Sequence, residues 1–145
     1  ESARIADLYS GAGTFTFPMS KIASVSAYDG DDALMKALLQ GARGAGLDGR
    51  VSAEARHLGH RPLSTNVLSS FDAVVFDPPR PGAEIQVKEL ARSSVPLVVA
   101  VSCNPESFAR DARILIDGGY VLERVMPVDQ FVWTRHLELV GVFRR

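Results

Sequence analysis

Apolar residues in this chain come in short runs, separated by longer stretches with helical spacing. Runs at residues 4–9, 24–29, 50–55, 71–77 and 96–102 read as strands. The fifth, Pro96-Leu97-Val98-Val99-Ala100-Val101-Ser102, is apolar on both faces, as a central parallel strand should be. Between them, residue 31 to about residue 45 reads as a helix. Asp31 and Asp32 favour its start, Ala33, Leu34, Ala37, Leu38 and Ala42 form one apolar face, and Gly44 and Gly46 end it. Residues 84–93 predict another helix. Asn104 suits an N-cap with Pro105 at the first helical position. Phe108, Ala112, Leu115 and Ile116 give that helix a buried stripe, and Gly118-Gly119 stops it. Residues 120–127 and 136–143 are two final strands, joined by a loop rich in aromatics.

Alternating strands and helices predict an α/β fold: a mostly parallel seven-stranded sheet with helices on both faces. The loop between the last two strands is roughly eight residues, too short for a parallel crossover, so the last strand is expected to run antiparallel. In such sheets ligands bind beyond the carboxyl ends of the strands. The chemically suggestive residues all fall there. A Gly-rich turn follows the first strand, Asp29 ends the second, His57 follows the third, Asp77 ends the fourth and Cys103 follows the fifth. In an antiparallel last strand Glu138, near its beginning, joins the same edge.

Composition narrows the class. The 145 residues suit one domain, residues 1–145, with 46% hydrophobic and 23% charged residues. A net charge of −1, from 16 basic and 17 acidic residues, is not the footprint of a self-sufficient nucleic-acid binder. One cysteine excludes an internal disulfide and any multi-cysteine zinc site, and fits a reducing, cytoplasmic setting. No apolar run approaches the length of a membrane span. His57 and His60 stand three apart, but Gly59 and Pro62 discourage a helix and no third ligand is evident, so no metal is expected. The chain enters its first strand almost at once, as a domain cut from a longer protein would.

The turn Asp7-Leu8-Tyr9-Ser10-Gly11-Ala12-Gly13-Thr14 lets a ligand approach the backbone closely. It lacks the third glycine of a dinucleotide loop, and an acid ahead of Gly11 and Gly13 suits a positively charged cofactor. A carboxylate at Asp29 can accept hydrogen bonds from ribose hydroxyls, or can serve simply as a helix-start acid. Asp77-Pro78-Pro79-Arg80 resembles the Asp-Pro-Pro-aromatic loop of amino-group methyltransferases, except that Arg80 replaces the aromatic. Asp77 paired to Arg80 in a rigid loop is the plainer reading. Cys103 precedes a helix N-terminus, where the helix dipole stabilises an anion. Glu138 sits on a strand that turns apolar on both faces, a partly desolvated carboxylate suited to base work. A core cysteine, and a glutamate bound to Arg135 or Arg110, are the bland alternatives. Phe131 and Trp133 are either base-stacking residues or core aromatics.

Taken together, these motifs resemble the catalytic domain of the S-adenosylmethionine-dependent RNA uracil-C5 methyltransferases. The resemblance covers nearly the whole chain. It rests on Asp7 to Thr16, on Asp77-Pro78-Pro79-Arg80-Pro81-Gly82-Ala83, on Ser102-Cys103-Asn104-Pro105 and on His136-Leu137-Glu138. It implies a Rossmann-like class I methyltransferase fold, with S-adenosyl-L-methionine as cofactor and RNA as partner. It puts Tyr9, Gly11, Gly13, Thr14, Asp29, His57 and Asp77 at cofactor positions, Arg80 at the substrate, Cys103 as nucleophile and Glu138 as general base. Asp29 stands where the family usually has glutamate, and His57 where it commonly has Asp or Asn. The family's N-terminal RNA-binding barrel and intervening segment have no counterpart here. The implied reaction is attack of Cys103 on uracil C6, methylation at C5 and proton removal by Glu138. A cofactor-binding module inactive without RNA-binding parts is the alternative, and a small-molecule C-methyltransferase a third.

Overall fold

The structure, a computed structural model, describes residues 2–129, 133 and 136–145. Seven strands form one sheet: β1 (Arg4–Leu8), β2 (Ser24–Asp29), β3 (Val51–Ala55), β4 (Ala73–Phe76), β5 (Leu97–Ser102), β6 (Val121–Val128) and β7 (Glu138–Arg144). Their order is β3-β2-β1-β4-β5-β7-β6. The pairs from β3 through β5 are parallel, and β7 runs antiparallel between β5 and β6. The expected architecture and the reversed last strand are both present. The chain order reverses direction at β1, so the crevice beyond β1 and β4 is the switch point where this class of sheet takes ligands.

Helices α4 (Glu84–Arg92) and α5 (Pro105–Asp117) cover one face, with the short α3 (Thr65–Leu68) beside α4. There Ala6, Leu8, Val74, Phe76, Val98, Ala100 and Phe143 pack with Val87, Leu90, Phe108, Ala112 and Leu115 in one core. On the other face α2 (Asp32–Gly44) buries Met35, Leu38 and Ala42 against Ala27 and Val51. This corrects the apolar stripe read from the sequence. Ala33 and Ala37 face solvent, because the buried positions are spaced three and four apart from Met35. The Asp31 side chain accepts from the Leu34 amide at 3.1 Å, a cap worth about 1 kcal/mol. Burying Met35 and Leu38 contributes about 2 kcal/mol each, so packing outweighs the cap in holding α2.

Two helices escaped the sequence reading. Helix α1 (Thr16–Ser20) carries Pro18 in its middle, and α3 has four residues, both too short to show a period. The predicted boundaries of β4 and β7 also move. Cross-strand pairing starts at Ala73 rather than Phe71, and at Glu138 rather than His136. Among the described residues, no helix is long and apolar enough to cross a membrane.

Candidate active site

The turn after β1 is built on hydrogen bonds from its own amides. Ser10 donates to the Tyr28 carbonyl at 3.1 Å, Gly11 to Asp29 Oδ2 at 3.0 Å and Gly13 to the Ser10 carbonyl at 3.0 Å. Gly13 has φ +97°, and a Cβ there would fall 2.7 Å from the Phe17 ring, so a larger residue does not fit the turn. Tyr9 takes φ +59°, a left-handed conformation that bulky residues rarely adopt. Strain of this kind costs on the order of 1 kcal/mol and is found where a site needs a particular side-chain direction. Burial, and then the charge of Asp111, push the Tyr9 hydroxyl up to about 12. It is therefore a neutral wall at physiological pH.

A cleft of about 390 Å³ opens beyond the strand ends. Tyr9, Asp29, His57 and Asp77, named from four separate stretches of sequence, all line it, with Arg56, Gly59 and Gly82. Gly11 and Gly13 sit in the adjoining turn, and Thr14 is exposed. Asp29 has a scaffolding task as well: its Oδ2 holds the Gly11 amide and its Oδ1 the Asp31 amide, each at 3.0 Å. His57 stacks on His60, ring centroids 4.3 Å apart. Among the described residues, no group of three or more His, Cys, Asp or Glu residues is placed to hold a metal ion.

Asp7 lies behind the cleft with 0% exposure. Thr16 Oγ1 donates to its Oδ2 at 2.5 Å, and its Oδ1 has no partner. Burial raises its pKa from 3.8 to about 6, Asp77 and Asp29 add to the rise, and the Thr16 hydroxyl opposes it. The sign of the stability effect follows. The folded protein holds this proton more tightly than the unfolded chain, so the charge at Asp7 costs stability as pH rises from about 4 to about 6, and fully above that. Asp7→Asn keeps an acceptor for Thr16. The variant is expected to be more stable than the parent by roughly 1–3 kcal/mol near neutral pH, a gain that disappears near pH 4. Urea unfolding at the two pH values measures this, and equal gains at both would refute it.

Asp77 is half-buried, and burial followed by the neighbouring Glu138 charge raises its pKa. The plainer pairing of Asp77 with Arg80 gives way to a different arrangement: Arg80 Nη1 lies 3.5 Å from His136 Nδ1. Helix α5 holds the loop that carries Arg80. Asn104 Nδ2 and Ser107 Oγ donate to the Arg80 carbonyl at 3.1 and 2.8 Å. Arg110 Nη2 donates to the Pro81 carbonyl at 2.8 Å, and Asp111 Oδ2 accepts from the Ala83 amide at 2.8 Å. Gly82, at φ +80°, leaves room for this clamp, since a Cβ would meet Arg110 Nη2 at 2.6 Å. Asn104 thus serves twice, its Oδ1 accepting from the Glu106 amide as the cap of α5. Sequence reading found the cap and missed the clamp.

Cys103, half-buried, follows β5 directly. In the β5–β7 ladder Val101 pairs with Val140 and Ser102 with Leu139, where the ladder ends; Cys103 follows that last pair on one side and Glu138 precedes it on the other. Glu138 stands at the end of an apolar groove lined by Phe15, Met19, Val99, Val101 and Val140. Of the basic residues proposed as its partner, Arg110 is engaged by Asp111 and Glu84, and Arg135 lies outside the described residues. Trp133 is 99% exposed, which removes it from the core. Phe131 lies outside the described residues.

The family described as tRNA (Uracil-5-)-methyltransferase matches residues 59–145. The chain belongs to the tRNA (uracil-5-)-methyltransferase family. An uncharacterized RNA methyltransferase of Agrobacterium fabrum is 52% identical over 145 residues, which make up 100% of this chain and 35% of the relative. The 23S rRNA (uracil(1939)-C(5))-methyltransferase RlmD of Alteromonas naphthalenivorans is 36% identical over 98% of this chain and 30% of its own length. Among solved structures, the Pyrococcus abyssi tRNA (uracil-54, C5)-methyltransferase in complex with S-adenosyl-L-homocysteine superposes with a TM-score of 0.84. It is 33% identical, over 99% of this chain and 34% of that one. The chain therefore spans about a third of the length of these family members.

Proposed function

We propose that this chain is the catalytic domain of an RNA (uracil-C5)-methyltransferase, moving a methyl group from S-adenosylmethionine to C5 of a uridine in ribosomal or transfer RNA. The observation that supports the reading is the end of the β5–β7 ladder at Ser102 and Leu139, beyond which Cys103 and Glu138 are the next residues of the two segments, at the sheet edge that carries Asp77 and its cleft. The cleft fits a cationic nucleoside cofactor. Asp29 and Asp77 rim it, Asp7 keeps an unpaired carboxyl oxygen behind it, and the Gly11–Gly13 turn brings backbone close. In this reading Asp29 accepts from the ribose hydroxyls, and Tyr9, Thr14 and His57 contact the remainder of the nucleoside and the methionine part.

S-adenosylmethionine supplies an electrophilic methyl group on a sulfonium sulfur. The chain supplies a nucleophile and a base. Uracil C5 attacks poorly, because its ring electrons are drawn toward two carbonyls. The Cys103 thiolate adds to C6, and the C5–C6 electron pair makes C5 enolate-like. Holding C5 in line with the methyl group does most of the remaining work. After C5 is methylated, the Glu138 carboxylate takes the C5 proton. The C–H electron pair restores the C5–C6 double bond and expels the Cys103 thiolate, so the enzyme ends as it began. Arg80 and Asp77 orient a base turned out of its RNA stack.

The chain's share of its relatives' length supports a second reading, a cofactor-binding module inactive without RNA-binding parts. RNA tritiated at uracil C5 separates the two. The full-length protein with S-adenosylmethionine is expected to release tritium to water in step with methyl incorporation, leaving 5-methyluridine in the nucleoside digest. Activity in the full-length protein alone, with cofactor binding in both, favours the module reading for this chain. Absence of 5-methyluridine with the full-length protein refutes the function.

A further inference from the structure

Four carboxylates stand along one edge of the sheet. In the spatial order β2-β1-β4-β5-β7 they are Asp29, Asp7, Asp77 and, past Cys103, Glu138. Asp29 and Asp77 open onto the cleft, whereas Asp7 is fully buried with one oxygen on Thr16 and the other unpaired. A buried carboxyl with an empty acceptor and two acidic neighbours is unfavourable as an anion. A cation brought alongside reverses that.

The two ends of the site say where such a cation would lie. With ribose hydroxyls at Asp29 and the methyl group delivered between Cys103 and Glu138, the cofactor sulfur falls in between. That is opposite the ends of β1 and β4, where Asp7 and Asp77 are. S-adenosylmethionine and its product S-adenosylhomocysteine share the ribose, adenine and amino-acid groups. They differ at sulfur, which is a methylated cation in the first and a neutral thioether in the second.

We infer that Asp7 sets the preference of this site for the sulfonium cofactor over its thioether product, releasing its proton to solvent when the cation enters. The inference rests on the cofactor assignment proposed above. Asp7 acts here as a positioning residue, through charge, and takes no part in bond making. The groups facing it are Asp29 from β2, Asp77 from β4 and the Thr16 hydroxyl from α1, with Glu138 of β7 beyond Asp77. Since Asp7 is held near 6, acid keeps it neutral and weakens its pull on the cation. Preference for S-adenosylmethionine should therefore grow as pH rises through 6 and level off above about 7.

Calorimetry on the full-length protein with each compound tests this, run between about pH 5.5 and about pH 7.5 in two buffers of different ionisation enthalpy. The ratio of the two affinities is expected to rise roughly threefold to fourfold across that range, following the ionised fraction of Asp7. At the acid end, S-adenosylmethionine should release more protons than S-adenosylhomocysteine. In Asp7→Asn the ratio should be flat and the extra proton release gone. If that variant does not fold, Thr16→Val decides, because losing the hydroxyl should move the midpoint to higher pH. A parental pH dependence in Asp7→Asn, or an unmoved midpoint in Thr16→Val, overturns the inference. So does loss of the dependence in Asp77→Asn with Asp7→Asn unchanged, which transfers the role to Asp77. If neither compound binds the parent protein at any pH, the cofactor assignment itself fails, and this inference with it.

Discussion

Cys103→Ala in the full-length protein is expected to abolish uridine methylation while leaving affinity for S-adenosylmethionine within about twofold. The asymmetry follows from where the residue stands. Cys103 follows β5 and is not among the residues lining the cleft that Asp29, Tyr9 and Asp77 form. In the proposed scheme its loss removes the C6 addition that makes C5 nucleophilic, and this chain holds no other cysteine. A loss of roughly 10⁴-fold or more in turnover is expected, about 5 kcal/mol of transition-state stabilisation. Folding should be little affected. Cys103 is only half-buried, so truncating one sulfur leaves no closed cavity and costs about 1 kcal/mol or less. Single-turnover methylation with labelled cofactor, beside calorimetry on the same preparation, reads both quantities. Residual turnover well above background would sink the covalent scheme, and lost cofactor affinity would show that the cysteine's role is structural.

Glu138→Gln is expected to do something different: to trap protein and RNA in a covalent adduct. The amide is close in size to the carboxylate, so the groove of Phe15, Met19, Val99 and Val140 around it should hold its shape. In the proposed scheme, addition of Cys103 to C6 and methylation at C5 do not require the base. Removal of the C5 proton does, and without it the thiolate is not expelled. The variant should accumulate a band that resists denaturation, appears only with S-adenosylmethionine and disappears in the Cys103→Ala, Glu138→Gln double variant. Turnover should fall by roughly 10²–10⁴-fold, the usual contribution of a general base. Normal turnover with no band would assign the base to another group, and His136, beside Arg80, is the nearest alternative on the same segment.

Much of the site was legible because strand ends are legible. Apolar runs bounded by Gly, Asp and Pro located the ends of β1, β2, β4 and β5, and the topology of parallel sheets puts those ends together. Asp29, His57 and Asp77 were placed at strand ends in this way, the family resemblance added Tyr9 and the cofactor roles, and the four share one cleft. The Asn104–Pro105 start of α5 was readable because a cap acts on amides two or three residues away. The stripe on α2 was half readable. Leu38 and Ala42 were found, but Met35 was passed over for Ala33 and Ala37, since alanine fits either face and only the packing of α2 on β2 and β3 chooses.

Local spacing, capping and turn chemistry act over a few residues, so the chain order carried them: the strands, α2 and α5 and the Gly-rich turn. Pairings between distant residues had no such signature. Nothing near Asn104 announces that its amide will hold the carbonyl of Arg80, 24 residues earlier. Nothing near Asp7 announces that one of its oxygens will be buried unpaired with Asp77 as a charged neighbour. Those relations depend on which strands lie side by side and how deeply each end is covered. Desolvation and Coulomb energy arise from that three-dimensional neighbourhood, so only the folded sheet decides which of its acids hold their protons and which side chains are tied to the Arg80 loop.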